Sequence, residues 1–328
     1  AYHDQILGFE YKPIVDSYDE AMKEGTYERV LLYTGRTVRH YGATNHKEYF
    51  AEGTEAYFYH NDFYPDVDDT AVVAMALDRT GSEKNKDALR RAADWIVGMQ
   101  SKNGGWGSFD ADNTHYYLNH IPFADHGALL DPPTADVSAR CLSFLAQFGY
   151  DRETPLISSG IDFLCEEQEE DGSWFGRWGT NYVYGTWSAL SALNVVGVPA
   201  DDPAVRKAVA WLLERQREDG GWGEDGATYW EEHRSLAKTS TASQTSWAIL
   251  ALMAAGETES LAVRRGLQYL MDAPHENGKW TEKFYNAVGF PKVFYLLYHG
   301  YPAYFPLWAL ARYRRLRDSN TPATSWGM

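Results

Sequence analysis

The stretch that decides the fold is WIVGMQSKNGGW, residues 95–106. Three later stretches share its spacing, with an aromatic residue five positions before a Gln and a Trp six positions after it. They are FLCEEQEEDGSW at 163–174, WLLERQREDGGW at 211–222 and YLMDAPHENGKW at 269–280, where Pro274 replaces the Gln. The Asn-Gly or Asp-Gly pair supplies a left-handed residue that ends a helix, and the Gln side chain can then bond neighbouring backbone. Four copies indicate a helical repeat architecture.

Two kinds of segment alternate along the rest of the chain. Amphipathic stretches such as 84–100 and 203–216 end in the repeat, and apolar stretches rich in small residues lie between them. The apolar stretches are 69–77, 136–148, 185–196, 242–255 and a Phe/Tyr-rich stretch from Val293. Further helices over 13–23, 27–41 and 302–317 would allow six pairs. We therefore predict an all-α chain, folded over 1–328 as a single α/α double-ring barrel with the apolar helices inside.

Composition narrows the range of functions. The 328 residues include 30 Lys and Arg against 46 Asp and Glu, a net charge of −16, so a basic surface for nucleic acid is not expected. Two cysteines cannot build a disulfide framework, and the N-terminal residues do not resemble the apolar core of a signal peptide, so a cytoplasmic protein is expected. Aromatic residues make up 15% of the chain, which favours a lined cavity or a site that handles cations.

The sequence DVDD at 66–69 opens one apolar helix and allows three interpretations. Aspartates at a helix start are favoured as caps and by the helix dipole. An aspartate cluster could also bind Mg²⁺, with Asp131 and Asp136 as partners, although no basic clamp for a diphosphate accompanies them. The third interpretation is acid catalysis. Carboxylates this close in a dry site cannot all ionise, so one keeps a proton that it can give to an alkene.

Together these motifs resemble those of squalene-hopene cyclase and its class II terpene cyclase relatives. The resemblance covers roughly residues 60 to 315 and includes NHIPF at 119–123, DPP at 131–133, GSWFGRW at 172–178 and GFP at 289–291. It implies the fold of the family's β domain, a terpenoid cyclase toroid. A lone barrel with an aromatic pocket also resembles the single-domain class II meroterpenoid cyclases of the merosterolic acid synthase type.

The resemblance also implies roles for individual residues. Asp68 would be the proton donor, and its neighbours in the motif would orient it and share its charge. The implied catalytic set is Asp66, Asp68, Asp69, Asp136 and Tyr184. Trp178 would shape the initiation site. The other implied substrate-binding positions, along the cavity wall, are Phe109, Phe123, Phe290, Phe294, Tyr298 and Tyr301.

Arg140 departs from the family pattern, because the family usually has a His at this position, four residues after the Asp that matches Asp136. Placed close to Asp68, a permanently charged guanidinium would lower the pKa of that carboxyl group. It would favour the deprotonated carboxylate, which has no proton to donate. Paired instead with Asp136 or Asp69, it would leave Asp68 protonated. The sequence leaves both arrangements open, together with a third in which Arg140 is a solvated arginine on its helix.

The first 60 residues are the other departure, since they do not clearly match the family. They are rich in Tyr, including Tyr57, and carry Arg36 and Arg39. We expect this divergent N-terminal segment to complete the ring or to cover the cavity. Tyr57 would then contact substrate, and the two arginines would hold an anionic head group.

The sequence thus predicts an intramolecular lyase or isomerase of the class II terpene cyclase type. It would protonate the terminal alkene, or an epoxide, of a linear polyprenyl chain, taken to be a prenylated hydroxybenzoic acid, and close fused rings through carbocations. No cofactor or metal is expected. The expected partner is a small isoprenoid, with no nucleic acid and with peripheral membrane contact as an option. The alternatives are the catalytic-domain fragment of a squalene-hopene-type triterpene cyclase and a non-catalytic α/α-toroid binding module.

Overall fold

The computed structural model describes residues 12–24, 30–31, 37–38, 66–120, 130–230, 239–273, 275–276, 279–319 and 327–328. The chain divides into two compact units, Ala1–Pro65 and Asp66–Met328, and its organisation as one domain over 1–328 stays a prediction. The first unit contains α1 (Lys12–Glu24), as predicted, and two antiparallel strands, β1 (Val30–Leu31) and β2 (Thr37–Val38). The predicted helix over 27–41 is therefore wrong at these four residues. Three of the four are β-branched, which favours strand.

The second unit is built mainly from helices. They are α2 (Val67–Arg79), α3 (Lys86–Gly98), α4 (Ala135–Gln147), α5 (Pro155–Glu166), α6 (Tyr182–Val195), α7 (Pro203–Arg215), α8 (Ala242–Ala254), α9 (Leu261–Asp272) and α10 (Tyr301–Ser319). Short 3₁₀ helices cover Glu83–Asn85, Tyr116–His120 and Gly226–Tyr229. Two antiparallel hairpins join β3 (His275–Glu276) to β4 (Lys279–Trp280) and β5 (Ala287–Phe290) to β6 (Phe294–Leu296).

The helices form two layers, as the alternation of segments predicted. Helices α2, α4, α6, α8 and α10 pack side by side in chain order, and α3, α5, α7 and α9 pack against the outside of α2, α4, α6 and α8. Every residue of α8 is buried, whereas α3 buries only Leu89, Ala93 and Ile96. A helix that is apolar on all sides must lie inside, and an amphipathic one can face solvent. The fold class, an α/α toroid, is confirmed. No described helix is long and apolar enough to cross a bilayer.

The stretch that starts at Val293 does not form the predicted apolar helix. It belongs to the β5–β6 hairpin, and α10 begins only at Tyr301. The turn between the strands contains Pro291 and then Lys292, whose φ is +68°, so the chain reverses where a helix would have to continue. The hairpin pairs Phe290 with Phe294, and their rings lie 5.7 Å apart. It thereby brings two predicted cavity residues together.

The Gln/Trp repeats clamp successive outer helices together. Gln168 Nε2 donates to the carbonyl oxygen of Gly172 at 2.9 Å and to that of Ala204, in the first turn of α7, also at 2.9 Å. Trp174 Nε1 donates back to the Leu164 carbonyl at 2.6 Å. Gly172 has a φ of +99°, the left-handed conformation that the Asp-Gly pair predicted.

The other repeats have the same contacts where they are described. Gln100 reaches the Leu156 carbonyl in α5 at 2.9 Å, and Gln216 reaches the Ala262 carbonyl in α9 at 2.8 Å. In the fourth repeat, Trp280 Nε1 donates to the Leu270 carbonyl at 2.8 Å, while Pro274 lies outside the described residues. The repeat therefore serves the fold, because each clamp fixes the end of one outer helix to the start of the next.

Replacing Gln168 by Ala is expected to destabilise the protein by about 2 kcal/mol, because two partly buried carbonyl groups lose their donor. For a unit of this size, that change corresponds to a fall in melting temperature of about 4–8 °C. Gln268→Ala is the matched control, since the Gln268 amide bonds only the exposed Asp272 of its own helix among the contacts described. A thermal melt of Gln168→Ala that overlays the melt of Gln268→Ala would contradict the clamp.

Candidate active site

The acidic motif lies at the N-terminal end of inner helix α2. Asp66 is the N-cap, and its Oδ1 accepts a hydrogen bond from the Asp69 backbone N–H at 2.9 Å. The backbone N–H of Val67 donates to the Ser108 carbonyl at 2.8 Å. The capping interpretation therefore holds for Asp66. Asp68 lies in the first turn of α2 and does not act as the cap.

Asp68 forms an ion pair with Arg140, which lies on the neighbouring inner helix α4. Arg140 Nη1 is 2.9 Å from Asp68 Oδ1 and donates a hydrogen bond to Asp68 Oδ2 at 3.1 Å. Arg140 Nη2 donates to the Tyr184 hydroxyl group on α6. The side chains of Arg140 and Asp68 are only 9% and 18% exposed. The arrangement in which Arg140 pairs with Asp136 or Asp69 instead is therefore wrong, because the ion pair is with the acid itself.

The environment of Asp68 raises the pKa of its carboxyl group to near neutral pH, where the protonated form and the ion-paired carboxylate are both populated. Burial raises the pKa of Asp68 to about 7, the Arg140 guanidinium opposes this rise, and the carboxylates of Asp136, Asp66 and Asp69 add to it. Burial likewise raises the pKa of Asp66 to about 6, against the hydrogen bond from the Asp69 N–H. The predicted lowering by Arg140 is present, but desolvation and neighbouring negative charge exceed it.

Asp136 is fully buried and does not bond Asp68. Its Oδ1 accepts from Thr134 Oγ1 at 2.7 Å, and its Oδ2 accepts from the backbone N–H groups of Arg177 at 3.0 Å and Trp178 at 2.9 Å. Asp136 therefore holds the loop before α6 against α4. That loop presents Trp178, whose Nε1 donates to Ser108 Oγ at 2.8 Å.

Asp131 performs a similar task for the loop that follows the first repeat, although the sequence argument offered it only as a metal ligand. Its carboxylate accepts from the backbone N–H groups of Ser108 at 3.0 Å, Phe109 at 2.6 Å and Asp110 at 2.7 Å. The described residues contain no group of three or more His, Cys, Asp or Glu side chains that could hold a metal ion. At Asp68 itself, the Arg140 guanidinium already occupies the place of a counter-cation.

The predicted wall residues are only partly brought together. Phe109 contacts Trp178 edge-on at 6.5 Å, and Tyr298 contacts Tyr301 at 5.0 Å. Three of the predicted wall side chains are strongly exposed in the described unit: Phe109 at 41%, Phe294 at 45% and Tyr298 at 48%. The predicted site residues that lie outside the described residues are Phe123, Tyr57, Arg36 and Arg39.

Sequence reasoning missed an aromatic cluster next to Tyr184 and Tyr301. Trp187 and Trp247 stack at 6.3 Å with an interplanar angle of 8°, and the ring of Phe305 lies 5.4 Å from the first and 5.3 Å from the second. Tyr184 packs edge-on against Trp247 at 5.0 Å, and Tyr301 does so at 5.9 Å. Arg140 thus lies between the acid and this cluster.

The cluster follows the starts of the inner helices. Arg140, Trp187 and Trp247 each lie five positions after the first residue of α4, α6 and α8. The predicted apolar stretches start at 136, 185 and 242, so the shared position becomes visible only once the helix starts are known.

Comparisons with known proteins agree with this architecture. The family model of the squalene-hopene cyclase C-terminal domain matches residues 14–315. The chain belongs to the squalene-hopene cyclase family. A squalene-hopene cyclase from Zymomonas mobilis is 57% identical over 282 residues, and one from Schizosaccharomyces japonicus is 61% identical over 274 residues; each match covers 84% of this chain. These matches cover 43% and 42% of the two relatives, so the chain spans about two fifths of their length.

A solved structure has a similar fold at lower identity. A variant of the type II terpene cyclase MstE from Scytonema is 21% identical with a TM-score of 0.50, over 69% of this chain and 59% of that chain. This likeness concerns the fold alone. The membership that the motifs predicted is confirmed at the level of the squalene-hopene cyclase family, and the merosterolic acid synthase type stays a prediction.

Proposed function

We propose that this chain carries out class II terpene cyclisation, with Asp68 as the general acid. The observation that carries the proposal is a carboxyl group whose pKa is raised to about 7, paired with a buried arginine beside an aromatic cluster. A protonated carboxyl group can give its proton to an alkene, provided that the carboxylate left behind is stabilised. Arg140 supplies that stabilisation at 2.9 Å.

The first step transfers the Asp68 proton to one carbon of a terminal alkene, whose π electrons form the new C–H bond. The other alkene carbon becomes a tertiary carbocation, and Asp68 becomes a carboxylate. Each following alkene then attacks the cation, which moves along the chain as rings close. Aromatic faces such as those of Trp247, Tyr301 and Phe305 stabilise the positive charge. Loss of a proton, or capture by water or a phenol, ends the cascade.

The supporting residues have separate roles in this proposal. Asp66 and Asp69 place negative charge near Asp68 and help to keep it protonated. Tyr184 holds Arg140 through its hydroxyl group, and Asp136 positions the loop that carries Trp178. The Asp68–Arg140 ion pair also disfavours the non-catalytic binding module, because such a module has no use for a buried acid whose pKa is raised.

Identity of 57% and 61% to squalene-hopene cyclases favours squalene as the substrate over a prenylated hydroxybenzoic acid. The hydroxybenzoate hypothesis depends on the likeness to single-barrel cyclases and on Arg36 and Arg39. Peripheral membrane contact also stays a prediction. It is supported by exposed apolar side chains near the start of α10, where Tyr304 is 70% and Leu307 is 59% exposed.

The test uses two proteins, the chain alone and a chimera in which it replaces the matched 282-residue region of the Zymomonas relative. Each is offered squalene and farnesyl-hydroxybenzoate with a chelator present, and products are separated by chromatography and identified by mass spectrometry. We expect a product of altered retention from squalene, with unchanged mass where proton loss ends the cascade and with the mass of one added water where water ends it. Turnover by the chimera alone would support the triterpene-cyclase fragment, and turnover of the benzoate alone would support the meroterpenoid hypothesis. No product from either protein, both being folded and monodisperse, would overturn the proposed function.

The pH dependence of the rate follows from the raised pKa of Asp68. The protonated form is the active one, so activity is full well below pH 7 and is lost as the pH rises through about 7. Above that point, kcat/KM should fall about tenfold per pH unit. A kcat/KM profile between pH 5 and 9 checks this expectation, and activity that increases with pH over this range would contradict it.

A further inference from the structure

Arg177 lies over two aromatic rings, that of Trp178, which is predicted at the initiation site, and that of Phe290, which is predicted on the cavity wall. Its Cζ is 4.1 Å from the centroid of Trp178 and 5.4 Å from the centroid of Phe290. Its Nη1 donates to the carbonyl oxygen of Gly289, in β5, at 2.9 Å, and its backbone N–H donates to Asp136 Oδ2 at 3.0 Å. One residue therefore connects α4, the loop before α6 and the β5–β6 hairpin.

Burying the charged guanidinium group of Arg177 at this position costs free energy. Burial lowers the pKa of Arg177, and the Asp136 carboxylate opposes that shift. The Asp136 carboxylate accepts a hydrogen bond from the backbone N–H of Arg177 and none from its side chain. The described contacts of the guanidinium group are therefore one carbonyl oxygen and two ring faces. A cation at this distance is attracted by the π electrons of the ring, and this attraction restricts the orientation of the ring.

We propose that Arg177 is a positioning residue that fixes the rings of Trp178 and Phe290 and so determines where the cyclisation cascade stops. This inference rests on the proposed function. A carbocation beside a ring survives only while the ring face stays aligned, and a displaced ring gives the cation time to lose a proton early. Displacements of about 1 Å change rates in preorganised sites by as much as about a hundredfold. Arg177 therefore acts on the product distribution, through Trp178 and Phe290.

The alternative is a purely structural brace between the loop and β5. Two substitutions separate these roles. Arg177→Gln keeps an N–H donor for the Gly289 carbonyl but removes the charge that holds the rings, whereas Arg177→Lys keeps the charge but not the flat stacking surface. Arg215→Gln is the matched control, because Arg215 stacks on Trp211 at 4.5 Å on outer helix α7.

The experiment measures products from squalene, in whichever of the two proteins turns it over, together with a thermal melt of each variant. For Arg177→Gln we expect the share of incompletely cyclised products to rise about tenfold, while squalene consumption falls less than about threefold. Arg177→Lys should lie between wild type and Arg177→Gln, and Arg215→Gln should match wild type.

An unchanged product ratio in Arg177→Gln with a wild-type melt would overturn the inference and leave the proposed function intact. Reduced turnover with an unchanged ratio would overturn it too, in favour of a brace. If Arg177→Gln does not fold, the ratio of incompletely to fully cyclised products in Arg177→Lys is used instead, and an unchanged ratio overturns the inference. Absence of any cyclised product from the wild-type proteins would remove both the proposed function and this inference.

Discussion

Replacing Asp68 by Asn is expected to lower kcat/KM for cyclisation by at least about a thousandfold, because an amide cannot supply the proton that starts the cascade. The shape of the side chain is kept, and its carbonyl oxygen can still accept the hydrogen bond that Arg140 donates to Asp68 Oδ2 at 3.1 Å. We therefore expect the variant to fold, with a melting temperature near that of the wild type below pH 7, where Asp68 is itself protonated. Product formation from squalene, followed by mass spectrometry, is the measurement.

Asp94→Asn is the control for this substitution. Asp94 lies on outer helix α3 and forms an exposed ion pair with Arg90 at 3.1 Å, so neutralising it should leave the rate unchanged. Residual activity of Asp68→Asn above about a tenth of the wild-type rate would show that another group is the acid. Asp66 would then be the next candidate, since its pKa is also raised, to about 6.

Replacing Arg140 by Met should have the second-largest effect, a fall in kcat of about 10- to 100-fold. In the proposed mechanism, Arg140 stabilises the Asp68 carboxylate that forms on proton transfer, so its removal would make Asp68 a weaker acid. The same change raises the pKa of Asp68 further, because the guanidinium is the group that opposes burial. The pH at which activity is lost should therefore move upward from about 7, and kcat measured from pH 5 to 9 tests both effects.

Arg206→Met provides the matched control, because Arg206 pairs with Glu257 at 2.7 Å outside the site. Arg140→His should recover part of the lost rate, since an imidazole can polarise the same carboxyl group. A pH profile of Arg140→Met that moves to lower pH, or that does not move, would contradict the assigned role of the ion pair.

The sequence was most informative where structure depends on short-range spacing. The helix-ending turn at Gly172 and the hydrogen bonds of Gln168 lie within one repeat or between adjacent repeats, so four similar copies were enough to predict them. The burial of α8 likewise follows from its apolar composition. These features need no knowledge of distant contacts.

The parts that could not be predicted depend on residues far apart in the chain. Asp68 and Arg140 are 72 positions apart, and the residue types allowed three possible carboxylate partners for the arginine. The β5–β6 hairpin was missed because its Phe- and Tyr-rich sequence suits either a helix or a strand, and tertiary packing decides between them. Asp131 and Asp136 hold loops in place by accepting hydrogen bonds from backbone N–H groups. The directions of these N–H groups cannot be read from the sequence.

Turnover of squalene in D₂O tests the central claim most directly, because in the proposed mechanism Asp68 must take up a proton from solvent before each cycle. The account predicts that each molecule of cyclised product carries one non-exchangeable deuterium, bound to carbon of the former terminal alkene, and that Asp68→Asn yields no such product. A cyclised product without carbon-bound deuterium would contradict acid initiation by Asp68.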